Sequence, residues 1–207
     1  MSTVLDLSRR STEFATELLG ATLTSRVGGH EVTVRLVEVE AYEGTDDPGS
    51  HAYRGPTPRN EVMFGPAGHL YVYRHLGLHH CANLVCGPDG VASAVLLRAG
   101  EVVAGTSEAR RRRLASGVCR TDRELARGPA RLAVVLGLTR EHNGAAVTQG
   151  GDAVGLLSLD RGEPPAAVAS GGRVGVSGAG GDAERFGWRY WVDGDPHVSA
   201  YRSAGRR

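Results

Sequence analysis

The chain has 207 residues, 41% of them hydrophobic, with a formal net charge of +1, which is enough apolar material for one buried core and no overall sign of a polyanionic partner. No apolar run approaches the roughly 18 residues of a membrane-spanning helix, and residues 1–10 hold no stretch of signal-peptide length, so a cytoplasmic protein with no membrane association is expected. Three cysteines, Cys81, Cys86 and Cys119, cannot all pair and exclude a disulfide scaffold. In chain order, residues 11–20 predict a short helix with Phe14, Ala15, Leu18 and Leu19 on one side and a glycine stop. Residues 21–26 and 30–42 predict a hairpin across Gly28-Gly29, a dipeptide suited to positive φ. In its second strand the period-two pattern puts Val32, Val34 and Leu36 on one face and continues that face through Glu38, Glu40 and Tyr42. A strand that begins in the core would then end by presenting two acids and a ring.

Three more strands are expected at about residues 70–76, 79–85 and 91–98, with turns at Gly77 and at 87–90. Helices follow at about 107–115, at Thr121-Asp122-Arg123-Glu124, which has the spacing of a capping box, and from Gly128-Pro129 to near Gly137. Residues 162–182 are rich in Gly, Ala and Pro and read as a loop, with a short strand at 173–177, before a last strand at 188–192. Strands, then helices, then strands again predict an α+β fold: a single domain over 1–207 in which a curved antiparallel sheet is backed by helices.

All 24 basic residues are arginine, so a lysine Schiff base is excluded and only the terminal amine is left for such chemistry. Arg110 to Arg113, Arg120, Arg123, Arg127 and Arg131 cluster, and Arg54 and Arg59 flank His51. They suggest a basic face toward DNA, the alternative for the 110–113 run being a solvated helix face. His79, His80, Cys81 and Cys86 lie on one strand and the turn after it. With no Cys-x-x-Cys and no distant His pair to complete four ligands, no metal and no cofactor are expected.

The fragments Val37-Glu38-Val39-Glu40-Ala41-Tyr42, His51, Thr57-Pro58-Arg59-Asn60, Met63-Phe64, Leu70-Tyr71-Val72-Tyr73, Asn83, Val95-Leu96-Leu97-Arg98, residues 127–132, residues 173–177, Trp188-Arg189-Tyr190 and residues 195–199 stand in order along nearly the whole chain. In this it resembles the alkyladenine (3-methyladenine) DNA glycosylase family. The resemblance implies a monofunctional N-glycosyl hydrolase of base excision repair, without lyase activity. Such an enzyme flips an alkylated or deaminated purine out of double-stranded DNA, the candidates being 3-methyladenine, 7-methylguanine, hypoxanthine and etheno-adenine. It also implies a monomer that is nucleoid-associated when bound to DNA.

By their match to the family motif, Glu40 is the general base, with Glu38 the alternative. Tyr42 and His51 receive the flipped base on one side and Tyr73 on the other, and Asn83 rejects the guanine 2-amino group. Arg98 lies near the carboxylate and a phosphate. Leu76 stands where the family often has a tyrosine wedge, and leucine can wedge as well. Two other readings stay open: a binder of damaged nucleic acid that has lost the chemistry, and a hydrolase of free nucleosides.

Overall fold

The structure is a computed structural model that describes residues 4–150 and 155–202. A one-turn helix α1 (Ser11–Phe14) passes into a 3-10 turn at Ala15–Leu18. Strands β1 (Thr22–Ser25), β2 (Val32–Tyr42), β3 (Leu70–His75), β4 (His79–Val85) and β5 (Ala94–Ala104) follow, then helices α2 (Thr106–Ser116) and α3 (Pro129–Val135). The described chain continues with β6 (Val147–Gln149), β7 (Leu157–Asp160), β8 (Val168–Gly171) and β9 (Arg189–Val192). The strand order is β3-β4-β5-β2-β1-β7-β6, with β9 added to β2 and β8 to β9. An isolated bridge between His69 and Ala146, beside a Val147 N–H bond to the Gly68 carbonyl at 2.8 Å, ties the two ends of that order together. The sheet therefore curls into a half-barrel with its helices packed against it, the α+β fold that the element pattern predicts. It is mixed rather than purely antiparallel, because β6 and β7 pair in parallel. Among the described residues no helix is long and apolar enough to cross a membrane.

Alternation along the strands separates a core from a site. Leu70 and Val72 of β3, Ala82 and Leu84 of β4, and Val95 and Leu97 of β5 all enter the main core, with Phe14, Leu18, Leu125, Leu132 and Leu136 packed on them. Their neighbours Tyr71 and Tyr73, Cys81 and Asn83, and Leu96 and Arg98 face the other way and line a cavity. One period-two rule thus fills the core and furnishes the cavity wall.

On β2 the rule is broken, which corrects the expectation that Glu38, Glu40 and Tyr42 share a face with Val32, Val34 and Leu36. The core takes Val32, Val34 and Leu36, then Val39 and Ala41, so the parity reverses between 36 and 39. The cause is an irregularity in the pairing with β5: Leu36 lies opposite Gly100, Glu38 opposite Ala99 and Val39 opposite Leu97. Val37 and Arg98 are passed over. Such bulges re-aim side chains; without this one Glu38 and Glu40 would point into hydrocarbon. It sits where β2 changes neighbour, pairing with β1 over Val32 to Arg35 and with β9 over Glu38 to Glu40. Gly100 makes it possible, since a Cβ there would lie 2.3 Å from Val34 Cγ1 and 2.5 Å from the Arg35 carbonyl oxygen.

Three local expectations also change. The helix expected from Thr121 is a single 3-10 turn at Asp122–Glu124 with no side-chain cap. The Glu124 carboxylate accepts instead from the Arg120 N–H, and the next residues are drawn into the sheet edge, Gly100 N–H bonding the Ala126 carbonyl and Ala99 bridging Arg127. The strand expected at 173–177 is a turn, its Gly175 at φ 74°. The loop at 162–182 contains β8 and a 3-10 turn at Gly178–Gly181.

Candidate active site

The cavity, of about 640 Å³, opens on the face of the sheet opposite the core. Tyr42, His51, Tyr73, Asn83 and Arg98 all line it. His51 packs edge-on against Tyr73 with ring centres 4.5 Å apart, and its Nδ1 lies 3.1 Å from the Tyr71 hydroxyl. The imidazole therefore belongs with Tyr73 rather than beside Tyr42 as expected; the loop that carries it folds back onto β3. Burial, and then the charges of Arg59 and His75, hold His51 down to about 4, so at neutral pH the ring is uncharged. Burial raises Tyr42 well above the ordinary range, followed by the neighbouring Glu40 carboxylate, and burial raises Tyr73 in the same direction.

Asn60 fixes the His51 loop. Its Nδ2 donates to the carbonyls of His51 (2.9 Å) and Gly55 (3.2 Å), and its Oδ1 accepts from the Thr57 N–H (2.6 Å) and hydroxyl (2.9 Å). The Thr-Pro-Arg-Asn motif is in this way a staple that presents His51 and Arg59 to the cavity mouth. Arg59 is exposed, its guanidinium 5.9 Å from the Tyr73 ring centre.

Both β2 carboxylates are completely buried. Glu40 lies behind the cavity wall: Oε1 accepts from the Val174 N–H (2.7 Å), and Oε2 accepts from the Tyr42 hydroxyl (2.9 Å) and stands 3.3 Å from Arg98 Nη1. All three partners line the cavity. Glu38 lies deeper. Its Oε1 accepts from Arg98 Nε (2.9 Å), Arg189 Nε (2.7 Å) and the Ser199 hydroxyl (2.9 Å), and its Oε2 from the Ser199 N–H (2.7 Å). Burial alone would raise the Glu38 carboxyl, but the charge of Arg98, then the bond and charge of Arg189, outweigh it and hold it below the usual range. Neither acid is itself in the cavity lining; Glu38 is held by four bonds, and of its partners only Arg98 lines the cavity, whereas every partner of Glu40 does.

Arg173 organises the opposite rim. Fully buried, it forms a double salt bridge with Asp47 (2.5 and 2.7 Å), donates to the carbonyls of Ala41 (3.0 Å) and Gly180 (2.9 Å), and stands 4.5 Å from the Tyr42 ring centre. The turn it anchors delivers the Val174 N–H to Glu40. Neither Arg173, Asp47, Arg189 nor Ser199 has a role that residue type alone reveals. For Arg173, Arg189 and Ser199 the one available signal was their place in the fragments of the family resemblance.

Leu76 is not in the cavity. With Gly77 (φ 69°) it is the central pair of the β-turn in the three-residue connection between β3 and β4, closed by the Leu78 N–H bond to the His75 carbonyl at 3.0 Å. It is the one non-glycine residue with positive φ (49°) among the described residues, and it is 77% exposed. The arginines of α2 are engaged within the protein: Arg110 pairs with Asp122, Arg111 and Arg112 with Glu108, and Arg113 is buried against Ser116. Basic character lies instead in a groove of about 370 Å³ that continues the cavity past Arg98, Pro129, Val174 and Arg202. It adds Arg127 and Arg131 and has no acidic side chain in its lining.

Residues 6–196 match the model of the family described as methylpurine-DNA glycosylase (MPG). A protein of Streptomyces avermitilis is 52% identical over 195 residues, 92% of this chain and 87% of the relative. One of Leifsonia xyli subsp. xyli is 51% identical over 194 residues, 93% and 88% respectively, and one of Cutibacterium acnes 48% over 204 residues, 97% and 100%. Each of the three bears the name "Putative 3-methyladenine DNA glycosylase". With a family match that spans the whole cavity lining except Arg202, the chain belongs to the methylpurine-DNA glycosylase family.

Proposed function

We propose that this DNA glycosylase of base excision repair flips an alkylated purine out of duplex DNA and hydrolyses its bond to the sugar, with Glu40 as general base and Tyr42, His51 and Tyr73 holding the purine by stacking. The observation that carries this reading is a buried carboxylate behind the wall of a ring-lined cavity large enough for one base. A carboxylate there can orient and deprotonate water and can oppose the positive charge that develops on the sugar. The groove with Arg127, Arg131 and Arg202 suits the phosphates that flank the flipped nucleotide. A monomer is the acting unit in this proposal.

Charge orders the substrates. A neutral His51 leaves a cationic base unopposed, and stacking on electron-rich rings favours it. Tyr42, Tyr73 and Cys81 are all pushed toward holding their protons, so none is a ready acid for a neutral leaving group. Duplexes carrying 3-methyladenine or 7-methylguanine, which are cationic on the sugar and so leave as neutral bases without an acid, should lose the base faster than those with hypoxanthine or etheno-adenine. Alkali cleavage of the resulting abasic sites measures it. With no lysine in the chain, the product should be an intact abasic strand that borohydride does not trap on the protein. If none of the four bases is released, the reading fails.

Asn83 is held by its Nδ2 bond to the Tyr71 carbonyl at 3.1 Å, which fixes the side chain in the cavity wall. Asn83→Ser is expected to raise release of purines bearing a 2-amino group by roughly tenfold, since an excluding group has shrunk. Unchanged discrimination against undamaged guanine would remove Asn83 from that role.

A further inference from the structure

We infer that Glu38 is a positioning residue that sets the basicity of Glu40 by sharing Arg98 with it, an inference that rests on Glu40 being the base. Arg98 is the only side chain that contacts both carboxylates among the described residues, giving Nε to Glu38 and Nη1 to Glu40. It is brought there by the skipped pairing at Arg98 on β5, which turns one guanidinium edge along each acid. On its far side Glu38 also holds Arg189, and it accepts from the Ser199 amide and hydroxyl. Two carboxylates thus face two guanidiniums in a dry cluster, and each charge is balanced only while all four remain.

The charge logic has a sign. An unshared Arg98 beside Glu40 would hold it as the anion and make it a weaker proton acceptor, since an opposite charge nearby favours the charged form. Glu38 draws part of that field away; Arg189 in turn moderates Glu38. The other ionisable groups near Glu40 are Tyr42 on the same strand, Tyr73 on β3, Cys81 on β4 and Arg173 from the turn. Arg173 is neutralised by its own salt bridge to Asp47, which leaves the Glu38–Arg98–Arg189 chain as the adjustable charge.

The test is single-turnover excision of 7-methylguanine from a duplex, a leaving group that needs no acid, followed across pH in wild type, Glu38→Gln and Arg189→Gln. Abasic-duplex affinity and thermal unfolding are measured alongside. Glu38→Gln should move the acid limb to lower pH by about one unit, the scale of one buried charge removed, and lower the plateau about tenfold or more. Arg189→Gln should move the limb the opposite way. A packing role would slow both variants without displacing their limbs in opposite directions, so unmoved limbs, or limbs that move together, overturn the inference. If Glu38→Gln does not fold, the direction of the Arg189→Gln limb decides alone. An acid limb that survives in Glu40→Gln would instead refute Glu40 as the base, a distinct failure.

Discussion

Glu40→Gln lowers excision by at least about a hundredfold while affinity for an abasic duplex stays near that of the wild type. The substitution keeps the length of the side chain, and its amide oxygen can still accept from the Val174 N–H or the Tyr42 hydroxyl. What it removes is the charge: water loses its proton acceptor, the sugar cation loses its counter-charge, and Arg98 loses the partner 3.3 Å away. In the proposed reading an abasic duplex is held mainly by the arginine groove and the hairpin, which the substitution leaves in place. The measurement pairs single-turnover excision with equilibrium binding. If Glu38→Gln were inactive and Glu40→Gln fully active, the two carboxylates would have to exchange roles.

The second large effect is at the hairpin tip, where stability and activity should move in opposite directions. Leu76 occupies a left-handed conformation that costs a branched side chain roughly 1–2 kcal/mol, and its side chain is in solvent rather than in the core. Leu76→Gly removes that strain, offset in part by the greater freedom of glycine in the unfolded chain, so the unfolding temperature should hold or rise. The flipped state, by contrast, loses the apolar group that fills the vacated stack, worth on the order of a few kcal/mol. Excision from paired duplex should fall steeply, and excision of the same lesion from single-stranded DNA should change little. A residue kept in a strained position with no fold-stabilising contact is readily explained by such a task. Unchanged duplex excision in Leu76→Gly would shift the wedge to Leu78, which is 72% exposed on the same tip.

The sequence was most legible where a regular period or a strong turn signal governs. The β3–β4 hairpin, the turn at Gly77 and the start of α3 at Gly128-Pro129 all lie where alternation and glycine put them. It was least legible where tertiary partners overrule local pattern. Thr121 to Glu124 has the spacing of a capping box, yet a cap needs a helix behind it, and the chain after Leu125 is claimed by the edge of β5. Strands β6 and β7 have three and four residues, too few for a period to show. In the cavity, Tyr42, Tyr73, Asn83 and Arg98 were reachable from the family motif and fall on one lining. Arg173 and Ser199 were not legible as partners: a long-range salt bridge to Asp47 and a backbone N–H given to Glu38 leave no trace in spacing.

The paired irregularity between β2 and β5 also bears on how tolerant the catalytic centre is to change. The pairs before it, such as Arg35 with Glu101, and those after it, such as Tyr42 with Ala94, keep the same offset, so the slip on one strand is undone by the slip on the other. The pairing from Val39 to Tyr42 therefore carries no record of it and keeps the offset of Val34 to Leu36, a separate irregularity following only at Thr33. A deletion confined to Val37 would not be silent in the same way: it would leave Arg98 skipped without its counterpart and turn every side chain on one flank of β2 inside out. The acids and their guanidinium can be exchanged for other chemistry without disturbing the architecture, but the two extra residues beneath them can be gained or lost only together.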